Sequence, residues 1–259
     1  MVEFYLKRII QSPIFWVSVI ALAVLMVIGC VEDLGAASQN LITILYCFQI
    51  TNSIGISHVL LPAVVVIPFL FFYVDELEKG AMYYQLIRGG KDRSYRGQIS
   101  AALLSAALIT LLAVFLFFFV CVILGAKWQA NDSLIMSFSN TYYEEMIQNK
   151  IYLVYIIYVL VFVCYSTPWT LMGVVISLFT KNRYLILIGP FIIFMAVSYL
   201  TELSGMLVLH PGYTLLKGIT RTWGGGGLYY AIGYHFFLNT ILSIWYLIMC
   251  RRRFRCEGI

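Results

Sequence analysis

Charge is what this sequence has least of. Among 259 residues only 17 Lys/Arg and 12 Asp/Glu occur, 11% of the chain, while 62% are hydrophobic. A soluble domain carries about 25% charged residues. So few polar groups cannot cover a water-soluble globule of this apolar content, which excludes that class. The same composition excludes intrinsic disorder. Histidine is also scarce: His58, His210 and His235 are the only three, scattered too widely for a metal-ligand motif. The six cysteines show no CxxC spacing, so a redox motif or metal knuckle is absent. Most lie in apolar runs as small core hydrophobes. Cys30 and Cys47 flank the first outer loop and can form a disulfide, although unpaired thiols are the commoner state in such chains. No phosphate loop is present: Gln85 stands where the glycine before Gly90-Lys91 would be needed, and Asp92 replaces the Ser/Thr. Residues 1–12 are too polar for the core of a cleavable signal.

What the chain has instead is long apolar runs. One crossing of a ~30 Å hydrocarbon layer takes roughly 20 apolar residues. Six such runs are readable, at about 14–31, 55–74, 99–125, 151–179, 184–202 and 229–250. The expected fold is therefore an all-α polytopic membrane protein with six transmembrane helices, a single transmembrane domain over 1–259. Residues 41–50 are too short to cross and read as an interfacial or re-entrant piece of the outer loop. Pro62 and Pro68 should bend span two and free carbonyls for neighbouring helices to satisfy. Span four is long for one crossing and should tilt or break near Pro168.

The first twelve residues have their own pattern. Val2, Tyr5, Leu6 and Ile9 share one side of a helix, with Glu3, Lys7 and Gln11 on the other. That predicts a short amphipathic helix lying in the membrane interface. Pro13 then permits a sharp turn into the membrane. With the N-terminus inside, 13 of the 17 basic residues fall on inner segments, and only Lys127, Lys150, Lys217 and Arg221 fall outside. This bias predicts both termini in the cytoplasm of a multi-pass cell-membrane protein. The net charge of +5 is explained by that bias and does not point to nucleic acid.

The most polar stretch, 75–98, carries the strongest functional signal. Within Glu76–Arg88, the residues Met82, Tyr83, Leu86 and Ile87 form one apolar-aromatic stripe on a short helix, closed by Gly89-Gly90. A charged cytoplasmic helix with a narrow greasy stripe suits a groove on a partner protein, and equally suits lipid headgroups.

The run YVDELEKGAMYYQLIRGGKDRSYRGQ resembles the permeases of type-2 ABC exporters at Glu78, Gly80, Leu86, Arg88, Arg93 and Tyr95. The start, YLKRIIQSPIFW, resembles the elbow helix of that family. LFTKNRYLIL resembles its tight link between spans four and five, and 203–228 sits where the family places a re-entrant outer segment before span six. The resemblance implies a transporter half with no catalytic residue, cofactor or metal of its own. It implies pairing with itself or a similar permease, and with a separate ABC ATPase subunit that binds ATP and Mg. It further implies that the helix within 75–98 is a coupling helix, with Tyr83, Leu86 and Ile87 as contacts and Glu78 and Arg88 as polar clamps at its ends.

Two other classes compete with this one. Glu144-Glu145 with Asn149, and His235 with Asn239, echo intramembrane proteases, but the pattern needs Arg where Asn149 stands and no FxxxH occurs. A self-sufficient carrier needs ionisable groups at mid-membrane, and Glu202, near the outer end of span five, is the one candidate. Glu202 can line an outer gate. Phe69 and Phe72, which the resemblance sets near a dimer axis, can line an apolar substrate path. Four glycines at 224–227 read as a hinge into span six.

Overall fold

The computed structural model describes residues 2–37, 43–53, 55–78, 90–129, 144–180, 182–206, 209–212 and 226–256. Among them every regular element is an α-helix, and pairing of extended backbone is confined to an isolated bridge between Thr43 and Lys127. The protein is an all-α polytopic membrane protein. Five helices are each long and apolar enough to cross a bilayer, and a sixth crossing results if the bent pair at the N-terminus counts as one.

That pair is α1 (Val2–Gln11) and α2 (Pro13–Ile28), bent by 69°. The bend has a local cause. Ser12 is extended and its side chain caps Ile14 N–H, while Pro13 begins the new helix at the one place where its missing N–H costs nothing. Along α1, Tyr5 and Ile9 are buried and Glu3, Lys7 and Gln11 exposed, which is the amphipathic division expected. At 1.5 Å per residue, the 16 residues of α2 span about 24 Å, short of the hydrocarbon thickness.

After α3 (Val31–Ala37), α4 (Ile44–Ser53) corresponds to the short apolar run. It packs into the bundle, as a re-entrant piece would. Ile44, Leu45, Cys47 and Phe48 are fully buried, and the Phe48 ring meets Phe117, Phe118 and Phe162 at 5.4–6.2 Å between centroids. It is a wedge driven between the spans. Its polar edges are tied: Leu45 N–H donates to Tyr155 at 3.0 Å, and Thr51 donates to the Met26 carbonyl at 2.7 Å.

Span two is broken, as its prolines predict, into α5 (Ile56–Val64) and α6 (Ile67–Glu78). At the break the Thr170 hydroxyl donates to the Val65 carbonyl at 3.3 Å, so a neighbouring helix satisfies the loosened backbone. Span three is α7 (Lys91–Ile123), which starts eight residues earlier than the apolar run at 99. Ala101, Ala102, Ser105, Ala106 and Ala113 are fully buried along it, a face of small side chains that lets α2 and the next span approach closely.

Span four is α8 (Glu144–Ser177). Its irregularity is at Lys150 (φ −144°, ψ 48°) and not near Pro168, which corrects the expectation. Pro168 cannot donate to the Cys164 carbonyl, and Thr167 takes that acceptor with its hydroxyl at 3.0 Å, so the helix continues. This helix is the hub, touching α5, α6, α7 and both remaining spans. Span five, α9 (Arg183–Leu203), is capped by Asn182, whose side chain accepts from Tyr184 and Leu185 N–H. Span six is α10 (Gly226–Cys256). The spans alternate in direction. One end of the bundle, here the base, gathers α1, the end of α6, the start of α7 and the last turns of α10. The opposite, distal end holds α3, α4 and residues 203–212.

Candidate functional site

The base is where the chain spends its buried polar groups. Tyr5 on α1 is 1% exposed, its hydroxyl 3.2 Å from that of Ser94 on α7 and its ring edge-on to Phe72 of α6 at 5.8 Å. Arg8, one turn along α1, lays its guanidinium over the Phe72 ring at 4.9 Å. A second chain of contacts lies deeper. The Tyr73 hydroxyl of α6 is 3.2 Å from that of Tyr246 on α10, and Tyr246 donates to the side-chain carbonyl of Gln98 on α7. Tyr95 is edge-on to Tyr246 at 6.4 Å, and Phe69 stacks on Tyr73 at 5.7 Å. Four helices are thus joined by hydroxyls and rings toward one end of the bundle. In an apolar surrounding such bonds have no water to compete with, so they fix register rather than merely adding attraction.

The joined helices include both that bracket residues 79–90. α6 ends at Glu78, and α7 starts at Lys91 after Gly90, whose φ of +78° is a conformation that side-chain-bearing residues rarely adopt. The two roots of that connection are therefore pinned to one another and to the first and last helices.

The predicted site residues fall as follows. Gly80, Tyr83, Leu86, Ile87 and Arg88, with most of the proposed coupling helix, lie outside the described residues. Glu78 is the terminal residue of α6. Arg93 is exposed on the first turns of α7. Tyr95 is 1% exposed and its ring meets that of Tyr246 on α10. Phe69, Phe72 and Glu202 are not brought together. The two phenylalanines follow the break in span two and sit at the base, while Glu202 is at the distal end of α9. The residues that sequence reasoning passed over are Tyr73, Gln98 and Tyr246. Their signal was present: hydroxyl and amide side chains within apolar runs, where an unsatisfied polar group is costly.

The distal end is polar in a different way. His210 Nε2 lies 3.4 Å from a Glu202 carboxylate oxygen, with Glu202 63% exposed. Burial pulls the His210 pKa below its usual value, opposed by the attraction of Glu202. Tyr165 donates to the His58 carbonyl at 3.1 Å and packs edge-on to His235, and Tyr234 donates to the Leu209 carbonyl. His235 meets α8 at Tyr165, on the far side of the irregularity at Lys150 from Glu144-Glu145. No group of His, Cys, Asp or Glu able to hold a metal occurs among the described residues. Most of the outer segment 203–228, including Gly224 and Gly225 of the four glycines at 224–227, lies outside the described residues.

Compared with models of known families, with characterised proteins and with solved structures, the chain matches none.

Proposed function

We propose that this chain is the membrane-spanning permease subunit of an ATP-driven exporter of the type-2 ABC kind, paired with a second permease. A separate ATPase subunit binds ATP and Mg and docks on the 79–90 connection. The observation that carries the reading is the frame at the base. An amphipathic helix turned 69° from the first crossing, the two roots of the connection, and the last span are locked together by Tyr5–Ser94 and Tyr73–Tyr246–Gln98. A connection so rooted cannot be displaced without carrying α6 and α7 with it. That is the property a lever needs if closure of a partner is to change access across the bundle. The base faces the cytoplasm in this reading, as the distribution of Lys and Arg requires.

The stripe of Tyr83, Leu86 and Ile87 supplies the grip, with Glu78 and Arg88 at its ends. The test is reconstitution in lipid vesicles with a candidate ABC ATPase subunit. Tyr83→Asp should leave insertion intact and remove stimulation of ATP hydrolysis by cargo. Transport by the chain alone in vesicles free of ATP would refute the reading.

One observation favours a second reading, a self-sufficient proton-coupled carrier. His58 and His235 lie within the spans of the distal half, near the His210–Glu202 pair. Ionisable groups at such positions commonly mark relays. Uptake driven by a pH gradient without nucleotide would select it.

A further inference from the structure

Three thiols converge in the distal half of the bundle. The α4 wedge runs antiparallel to the end of α2. Thr51 bonds the Met26 carbonyl, and one turn back along α4 and one turn forward along α2 set Cys47 opposite Cys30. Cys47 and Cys30 are close enough to perturb one another, and Cys121 on α7, one turn beyond the Phe117 ring that meets Phe48, is the third thiol beside Cys47. All three are free and at most 2% exposed. The Cys30 thiol donates to the Met26 and Val27 carbonyls at 3.5 and 3.6 Å.

Of the three, Cys30 lines a half-open cavity of about 560 Å³ together with Glu32, Asp33, Ile50, Gly55 and Ile56, and Cys47 and Cys121 are not among that cavity's lining residues. Burial, with Cys47 and Glu32 near it, raises the Asp33 pKa. Two carboxyl groups at the mouth favour a positively charged visitor over a negative one.

We propose that Cys30 and Cys47 are a redox-active dithiol, oxidised by a small cationic disulfide that enters this cavity. The chemistry closes in two exchanges. Cys30, as thiolate, attacks one sulfur of the entering disulfide. The sulfur–sulfur bond breaks, and the first leaving thiolate takes up the proton that Cys30 released. Cys47 then gives up its proton, attacks the Cys30 sulfur of the mixed disulfide and expels the second thiol. Two protein thiols become one disulfide, and the visitor is reduced to two thiols. The bridge ties the wedge to the first span. Cys121 remains a thiol.

The test uses the full chain purified in lipid nanodiscs, treated with cystamine or with the small dianionic disulfide dithiodiglycolate, then digested and mapped by mass spectrometry. Cystamine should link Cys30 to Cys47. Cys47→Ser should instead retain a cysteamine adduct on Cys30, and Cys121→Ser should still bridge. Cystamine should react about tenfold faster than dithiodiglycolate, a gap that closes at high salt. A wild-type bridge between Cys47 and Cys121, or failure of Cys30 to react with cystamine, would overturn the assignment. Equal rates for the two reagents would overturn the cationic preference. The wild-type linkage and rates decide the matter even if a serine variant fails to fold.

Discussion

Removing a single oxygen at the base tests whether α6, α7 and α10 are joined there by their polar groups or only by packing. Tyr246→Phe keeps the ring, its edge contact with Tyr95 and the apolar volume. It deletes the bond to Gln98 and the contact with the Tyr73 hydroxyl. Two bonds are lost, and Gln98, itself 1% exposed, is left with a buried acceptor. Leaving such a group unsatisfied costs about 1–3 kcal/mol in protein interiors. Couplings across membrane helices average only about 0.6 and reach about 1.7 kcal/mol, since the separated helices find other partners. The lower figure should apply to each bond, giving a loss of roughly 1–2 kcal/mol for the variant. A double-mutant cycle with Gln98→Met isolates the Tyr246–Gln98 term. Unfolding in mixed micelles, followed by helicity, should return a coupling of about 0.5–1.5 kcal/mol. Strictly additive losses would mean the hydroxyl and amide do not act on one another, and the frame would reduce to shape. In the reconstituted transporter the same variant should lower transport per ATP hydrolysed, because a loosened root lets the connection move without its helices.

Other perturbations test other parts of the reasoning. Gly173→Ala places a methyl 2.6 Å from Val66 Cγ1 at the break of span two, so the melting midpoint should fall by the equivalent of about 1–3 kcal/mol, and Val66→Ala should restore most of it; no recovery would show that the close approach is not what makes the glycine necessary. Tyr5→Ala should free the amphipathic helix from the base, seen as faster hydrogen exchange over residues 2–11 with little change in α8. Because the folded protein holds His210 below its unfolded value, near 6.5, the unfolded chain binds more protons as acid is added. Stability from this group is present above about pH 6.5 and is lost as pH falls from there toward the folded pKa. His210→Gln should therefore flatten the decline of the melting midpoint between pH 7.5 and 5.5, and an unchanged slope would place the acid sensitivity elsewhere.

Much of this protein is determined by composition and local pattern. Apolar runs of crossing length must be helices in lipid, because no other single-segment structure satisfies its own backbone there. The division of α1 into Tyr5 and Ile9 against Glu3, Lys7 and Gln11 follows from the 3.6-residue period alone, and the turn at Pro13 follows from a missing N–H. Span two breaks near Pro68 for the same reason. What the period could not say is what each face meets. The short run before span two reads as interfacial or re-entrant by length, and only its neighbours Phe117, Phe118 and Phe162 make it a wedge. Pro168 reads as a break, and only Thr167, one residue away with a rotamer that reaches Cys164, keeps the helix continuous. Tyr73, Gln98 and Tyr246 are up to 173 residues apart in the chain and acquire meaning when three helices align at one depth. Local sequence decides which segments are helices because their hydrogen bonds are local. Depth, partner and register depend on contacts between distant segments, and those the tertiary structure alone decides.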